Sequence, residues 1–349
     1  MSNRAAARVS QPTDVDGGGV VSRLQLLGAA VVTTAVAATV ATIGSVVYVL
    51  RHAFDPSPVA TREQVAADGG TAVARADQHG IVEYFEFGEQ DGAKVKATLV
   101  ALHGAQTTGR LFSILHDWAL QKGVRIIAPT LPGFGLSTFP VSSAASSARG
   151  RSYTTAEWVA EMQALLHGHL RLTHFHVLGT SFGSIHAAAL AGLYSPQQAV
   201  GNVELYVAIA PPATTYDPLE GSVLQVFAKM APYPLFKRLF EKYIVRPLLL
   251  WFVPKDGDVA RAVRTQWEGM ATCADIIGQP WLFDWTALSG TGRKVVIVSC
   301  RQDNAAPPHN QKRLHENIPG SELVEYDGKH ESGIENPAQL AAHLELILF

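Results

Sequence analysis

A serine between two glycines stands where an apolar segment passes into an alanine-rich one. The stretch Gly179–Gly183, with the letters GTSFG, precedes a helix-like run that contains little but alanine, leucine and isoleucine. The spacing G-x-S-x-G suits a sharp turn from strand to helix, which exposes the hydroxyl of Ser181 and the amide of Phe182. Glycine and serine are also frequent in turns for purely conformational reasons. The motif alone therefore leaves open whether Ser181 reacts.

A serine hydroxyl is a poor nucleophile until a base takes its proton, and His330 is the histidine with the right placement. It stands in the stretch DGKHES, after a strand-like segment and before a last helix that Asn336 and Pro337 begin. The chain has 13 histidines, and most of the others fall inside helices or at the opposite ends of strands. The sequence thus pairs Ser181 with His330.

Asp303 is the candidate acid that would hold the histidine in one tautomer. It lies in the loop RQDNAAPP, after an apolar strand, and leaves room for one helix and one strand before the histidine. Asp327 and Asp217 are the alternatives, each in a less suitable position. An aspartate that only shapes a turn is the other explanation for Asp303.

Acyl transfer to a serine develops negative charge on the carbonyl oxygen, so backbone donors are needed near the nucleophile. The stretch LHGAQ ends an apolar strand at His103 and Gly104. The amide of Ala105 would point toward the same place as that of Phe182. We expect His103 itself to be structural.

The elements that must position these residues alternate between apolar strands and amphipathic helices. This alternation predicts an α/β fold with a mostly parallel central sheet covered by helices on both faces, and with its ligand site at the carboxyl ends of the strands. The strand-like segments are Ile81–Phe87, Val95–Gly104, Val124–Gly133, His174–Gly179, Val203–Pro212, Lys294–Cys300 and Glu322–Gly328.

The ordered set LHG, PTLPGFGLS, GTSFG, RQDNAAPP and DGKHE resembles the α/β-hydrolase fold over residues 81–349. The resemblance implies a catalytic triad of Ser181, Asp303 and His330, with Ala105 and Phe182 as oxyanion-hole donors. It also makes the turn from Gly179 to Gly183 the nucleophile elbow of that fold, the sharp turn that presents the nucleophile. Serine in place of aspartate at this position disfavours epoxide-hydrolase and dehalogenase chemistry.

Two positions depart from the pattern of this fold. Aspartate is frequent where Thr130 stands, and a third glycine is frequent where Ser184 stands. We expect the first departure to alter one loop contact and the second to crowd the packing of helix against strand slightly.

Residues from about 213 to 290 interrupt the strand pattern, where the fold family places a helical lid. This segment is apolar along one predicted helical stripe, with charged residues opposite. The stripe fits simple packing on the core as well as an apolar acyl pocket or a surface that touches a bilayer. Its members are Leu235, Phe236, Leu239, Phe240 and Tyr243.

Residues 24–50 contain no charged residue and lie between Arg23 and Arg51. At about 1.5 Å per residue, a helix of this length crosses the roughly 30 Å hydrocarbon core of a bilayer. We therefore predict an N-terminal tail over residues 1–23, a transmembrane anchor over 24–50 and a linker over 51–80. A signal peptide, a mitochondrial presequence and a buried core helix are the alternatives.

The charges beside the anchor favour a single-pass protein of an endomembrane of the endoplasmic-reticulum type, with the catalytic domain on the non-cytosolic side. A mitochondrial membrane is the alternative location. The balance is slight: Arg4, Arg8 and Arg23 precede the anchor, and Arg51 and Arg62 follow it.

The net charge and the cysteine content limit the kinds of ligand and partner that we expect. The 349 residues carry a net charge of −2, which gives no reason to expect nucleic acid as a partner. Cys273 and Cys300 do not have metal-ligand spacing, and we expect neither a metal nor a cofactor. Residues 141–152 are predicted to form a solvated loop.

Together these features predict a membrane-anchored serine hydrolase that cleaves a carboxylic ester. The predicted substrate is a small apolar molecule of lipid or acylglycerol type. Anchored monoacylglycerol lipases look similar in layout. An acyltransferase with the same triad and a non-catalytic binding protein of the same fold are the alternatives.

Overall fold

The computed structural model describes residues 61–75, 80–139, 153–195, 199–208 and 292–349, and the single residues 269, 273, 276, 277, 283, 284 and 288. They belong to one compact unit, Pro56–Phe349. The predicted anchor at residues 24–50, nearly all of the predicted lid and the loop 141–152 lie outside the described residues. Within the described ranges, no helix has both the length and the apolar character needed to cross a membrane.

Eight strands form one sheet in the order β1-β2-β4-β3-β5-β6-β7-β8. The pairs β1–β2 and β2–β4 are antiparallel, and every other neighbouring pair is parallel. The strands are β1 Gly70–Ala74, β2 Ile81–Gly88, β3 Ala97–Leu102, β4 Val124–Pro129, β5 Phe175–Thr180, β6 Val200–Tyr206, β7 Val295–Cys300 and β8 Glu322–Tyr326. The mostly parallel sheet predicted from the sequence is therefore confirmed.

Helices follow most of these strands. Within the described ranges, the α-helices are α1 Arg62–Ala67, α2 His116–Lys122, α3 Thr155–Gln163, α4 Gly183–Leu193, α5 Pro308–Asn317, α6 Ser332–Glu335 and α7 Pro337–Leu348. A 3₁₀ helix, Gly109–Leu115, leads into α2, and a π-helical turn, Ala164–His169, extends α3.

The sheet has a hydrophobic core on each face, because residues of the inner strands are buried on both sides. All six residues of β7 are buried, as expected for a central parallel strand. Trp158 of α3 and Leu190 of α4 belong to the core of one face, whereas Leu115 and Leu344 belong to the core of the other. The layers predicted from the alternating pattern are therefore present.

The predicted linker over residues 51–80 is wrong in part, because the sheet begins within it. Thr61 caps α1 through a capping box with Gln64, and β1 then pairs with β2 along its whole length. Val65 is fully buried, and any side chain at position 70 would overlap the ring of Phe85. Both α1 and β1 are short, and their apolar residues do not recur at a clear helical or strand spacing. Their helical and extended conformations therefore depend on packing against β2.

Glu204, in the middle of β6, is a buried acid among apolar neighbours. It is paired in register with Leu178 on one side and Val296 on the other. In the part of the chain that the structure describes, neither carboxylate oxygen has a hydrogen-bond partner. Burial raises the pKa of Glu204 to about 8, so the side chain carries its proton at neutral pH.

We predict that Glu204 makes the folded protein less stable as the pH rises. Above the ordinary pKa of 4.5 the unfolded chain releases this proton, while the folded chain keeps it up to about pH 8. The free energy of unfolding should therefore fall by up to about 1.4 kcal/mol per pH unit across that window. Urea denaturation at several pH values measures this slope, and Glu204→Gln should flatten it.

The matched control is Glu322→Gln, at an exposed position on β8 that pairs with Lys294. It should leave the slope as in the wild type. Equal slopes for the wild type and Glu204→Gln would contradict the prediction.

Candidate active site

Ser181 lies in the turn between β5 and α4 with a left-handed backbone, at a φ of 51°. A serine seldom adopts this conformation, and such strain persists only where the surroundings enforce it. The amide of Ser181 donates to the carbonyl oxygen of Tyr206 at 2.9 Å, and the amide of Ser184 donates to the carbonyl oxygen of Ser181 at 2.9 Å. The two bonds hold the turn from both sides.

The two glycines of the motif are required by close packing. A Cβ atom at Gly183 would overlap the carbonyl oxygens of Leu102 and His103 at the end of β3. One at Gly179 would lie 2.5 Å from the Cβ atom of Ala187 in α4. Only glycine therefore allows β3, β5 and α4 to meet around the serine.

His330 joins Ser181 to Asp303 through its two ring nitrogens. The distance from Nε2 to Oγ of Ser181 is 2.8 Å, and that from Nδ1 to Oδ2 of Asp303 is 2.7 Å. A carboxylate only accepts, so Nδ1 carries a proton, and in the neutral ring Nε2 then accepts from the serine hydroxyl. The histidine side chain is 20% exposed and the aspartate side chain 0%. The three residues predicted from the sequence thus form one hydrogen-bonded line.

Asp303 is held in place by its own loop. Its Oδ1 accepts the amides of Ala305 and Ala306, each at 2.8 Å, while Oδ2 faces the histidine. The buried carboxylate is therefore bonded through both oxygens, which fixes its orientation. Asp327, the alternative acid, is 77% exposed and pairs with Arg301. Asp217 lies outside the described residues.

The two predicted oxyanion donors, Ala105 and Phe182, belong to segments that adjoin Ser181. Phe182 is the next residue in the chain, and Ala105 follows Gly104, where a Cβ atom would lie 3.2 Å from the Cβ atom of Ser181. Among the turn and loop hydrogen bonds of the described residues, neither the amide of Ala105 nor that of Phe182 is a donor. The role of the two amides as oxyanion donors stays a prediction.

His103 binds the strand ends together. Its Nδ1 donates to the carbonyl oxygen of Gly104 at 2.7 Å, and its Nε2 accepts the amide of Leu131 at 2.8 Å. Burial lowers the pKa of His103 to about 4, so the ring is neutral at neutral pH. These contacts agree with the structural role expected for it.

Glu83, a fully buried acid on β2, was not among the residues predicted from the sequence. The hydroxyl of Thr130 donates to its Oε1 at 2.8 Å, and the amide of Leu136 donates to its Oε2 at 2.9 Å. The same threonine oxygen accepts the amide of Gly109 at 3.0 Å. A carboxylate expected at position 130 is thus supplied from a neighbouring strand, and the signal for it was an acid within the apolar segment Ile81–Phe87, which also contains Glu86.

Ser184, the other departure, strengthens the turn. It is fully buried, and its hydroxyl donates to the carbonyl oxygen of Ser181 at 2.5 Å. The Cα atom of Ser184 lies 2.7 Å from where a Cβ atom at Gly179 would be, but a glycine would share that atom, so the expected crowding by the side chain stays a prediction. The hydroxyl therefore adds a bond that a glycine at this position could not make.

The described residues include no group of three or more histidine, cysteine, aspartate or glutamate side chains placed to hold a metal ion. The described members of the predicted lid are single residues, among them Gly269, whose amide donates to the carbonyl oxygen of Gly133 at 3.0 Å. The apolar stripe predicted for the lid lies outside the described residues.

Comparison with known proteins gives one family and many similar folds. The model of the alpha/beta hydrolase family matches residues 99–343. An esterase from Exiguobacterium antarcticum is 20% identical, with a TM-score of 0.57, over 80% of this chain and 99% of its own. An enol-lactonase from Burkholderia xenovorans LB400 is 21% identical, with a TM-score of 0.57, over 79% and 99%. No curated protein matches this chain.

A carboxylesterase structure from Nitrososphaera gargenis has a TM-score of 0.60 at 16% identity, over 79% of this chain and 97% of its own. At these identities the structures establish the similarity of fold, and they leave substrates and site roles to be argued from this chain.

We predict that Asp303→Asn slows the reaction of Ser181 with a fluorophosphonate. An amide at this position donates to Nδ1 and so favours the tautomer in which Nε2 is protonated and cannot accept the serine proton. The second-order rate constant should fall by orders of magnitude, up to about 10⁴. The control is Asp327→Asn at the exposed alternative position, which should react at the wild-type rate. Slow labelling of this control with normal labelling of Asp303→Asn would reverse the assignment.

Proposed function

We propose that this chain, which belongs to the alpha/beta hydrolase family, hydrolyses carboxylic esters through an acyl-enzyme formed on Ser181. The observation that carries this proposal is the hydrogen-bonded line from Asp303 through His330 to Ser181. In a hydrolase fold, a serine that donates to a neutral, acid-held histidine has the arrangement required of a nucleophile with its general base.

In the first half of the reaction, Oγ of Ser181 forms a bond to the ester carbonyl carbon while Nε2 of His330 takes the hydroxyl proton. The carbonyl electrons move to oxygen, where the amides of Ala105 and Phe182 bind the negative charge. When the carbonyl re-forms, the bond to the alcohol oxygen breaks and His330 returns the proton to that oxygen. The alcohol leaves, and the acyl group stays on the serine.

In the second half, water takes the place of the alcohol. His330 accepts a proton from the attacking water, the same two amides bind the second oxyanion, and the proton finally returns to Oγ of Ser181 as the acid leaves. Asp303, bonded to Nδ1, stabilises the imidazolium formed in each half. Every proton that moves is thus passed between His330, Ser181 and the two substrates.

The proposed ester is apolar and of lipid or acylglycerol type. Support comes from the apolar stripe in residues 213–290 and from the uncharged run in residues 24–50. An enzyme held at a bilayer meets esters that partition into it, and an apolar lid favours long acyl chains. The similar structures described as esterases are consistent with an ester substrate in general.

We predict that the full-length protein hydrolyses p-nitrophenyl esters and that Ser181→Ala loses at least about 10³-fold in kcat. Activity should increase from acetate to longer acyl chains if the acyl pocket is apolar. Mass spectrometry of fluorophosphonate-treated protein should locate the adduct on Ser181. Undiminished hydrolysis by Ser181→Ala would contradict the proposed nucleophile, and a preference for acetate would contradict only the lipid-like substrate.

The location that we propose is a single-pass anchor at residues 24–50 with the hydrolase domain on the non-cytosolic side. In microsomes, the chain should stay in the membrane pellet after alkaline carbonate, and a variant without residues 24–50 should be released. Added protease should cleave the domain only after detergent opens the vesicles. Carbonate release of the full chain would contradict the anchor, and cleavage without detergent would contradict the orientation.

A further inference from the structure

A cluster of two tyrosines and a cysteine lies beneath the proposed active site, and the reaction described above does not use it. Tyr206, Cys300 and Tyr326 stand at the carboxyl ends of β6, β7 and β8, on the same face of the sheet. The hydroxyls of Tyr206 and Tyr326 are hydrogen-bonded to each other, and that of Tyr206 lies 3.8 Å from Sγ of Cys300. We call these three residues the tyrosine cluster.

Tyr206 contacts the nucleophile through its backbone. Its carbonyl oxygen accepts the amide of Ser181 at 2.9 Å, which is the first bond beyond the end of β5. The next residue, Val207, has a left-handed backbone with a φ of 44°, and its amide donates to Val298. The peptide group between Tyr206 and Val207 is thus hydrogen-bonded through both its carbonyl oxygen and its amide.

The ring of the same residue supports the loop that carries His330. A Cβ atom at Gly333, in α6, would overlap the hydroxyl and Cζ of Tyr206. The short helix after the histidine therefore rests directly on the tip of this tyrosine ring. Only glycine at position 333 allows that approach.

The other two members of the cluster begin the loops of the acid and the base. Asp303 donates its amide to the carbonyl oxygen of Cys300 at 3.1 Å, and Tyr326 leads through three residues to His330. Arg301 donates its amide to Tyr326 at 3.0 Å, and Gln302 donates to Gly328 at 2.9 Å, so the two loops are bonded side by side.

Tyr206 is only 2% exposed, and both tyrosine hydroxyls keep their protons, because burial raises the pKa of each well above its ordinary value. A buried hydroxyl without a partner is costly, so the bond between the two rings holds the ends of β6 and β8 at one separation. That separation sets the distance between the turn of Ser181 and the loop of His330.

We propose that Tyr206 is a positioning residue that aligns Ser181 with His330, through its carbonyl on the serine amide and its hydroxyl beneath the histidine loop. This role rests on the function proposed above. Proton transfer between the two residues depends steeply on distance and angle, and a displacement of about 1 Å can cost on the order of 10²-fold in rate.

Tyr206→Phe is the test, because it keeps the ring and the backbone carbonyl and removes only the hydroxyl. The matched control is Tyr194→Phe. Tyr194 is fully buried at the end of α4, packs on Phe175 at the start of β5, and in the described part of the chain its hydroxyl has no partner. Full-length wild type and both variants are treated with a fluorophosphonate, and the labelled fraction is followed in time.

The time course separates alignment from folding. A positioning role predicts that the rate constant falls about tenfold in Tyr206→Phe, while the final labelled fraction stays at the wild-type level. With a p-nitrophenyl ester, kcat should fall by the same factor and KM should stay within about twofold. Tyr194→Phe should match the wild type in every measurement.

Tyr326→Phe removes the same hydrogen bond from the other ring and should slow labelling to a similar extent, which covers the case in which Tyr206→Phe does not fold. A wild-type rate constant in the folded variants would overturn the proposed role. So would a reduced labelled fraction with an unchanged rate constant, since that result shows a purely structural contribution. A wild type that is not labelled at all would instead overturn the proposed function.

Discussion

The close approach of β3, β5 and α4 at Gly179 and Gly183 determines the geometry of the turn that carries Ser181. Because neither position has a side chain, the helix can begin directly against the carbonyl oxygens that end β3. The chain must then turn within one residue, and Ser181 is forced into a left-handed backbone. That turn lifts the hydroxyl out of the sheet to the point where Nε2 of His330 reaches it. In the described turn and loop hydrogen bonds, the amide of Phe182 is not a donor.

The sheet also contains buried acids, which an apolar core would otherwise exclude. The charge state and orientation of each acid depend on its hydrogen-bond partners. Asp303 is bonded through both oxygens, and so is Glu83, which ties the loop after β4 to β2. Glu204 has no such partners in the described part of the chain and is held neutral instead. The contrast shows two ways in which one sheet tolerates buried acids.

Some features of the fold and the site could be predicted from the sequence, and others could not. The motifs follow apolar segments, and parallel strands end at one edge, so the approach of Ser181, Asp303 and His330 could be expected from their order alone. The short elements α1 and β1 could not, because a six-residue helix and a five-residue edge strand become regular only by packing on β2. Glu83 was equally hidden, since an acid in a strand suggests a solvent-facing residue until the loop that covers it is known. The anchor at residues 24–50, the lid and the apolar substrate remain predictions.

Strand period, glycine spacing and motif order are local properties of the chain, so the order of amino acids was enough to indicate the family, the parallel sheet and the residues that could do chemistry. How those residues are held became visible only in the folded chain. Glu83 supplies a carboxylate to Thr130, and Tyr206 contacts three separate segments. Both sets of contacts join residues that are far apart in the sequence. Such contacts follow from distances between packed elements, which no spacing along the chain specifies.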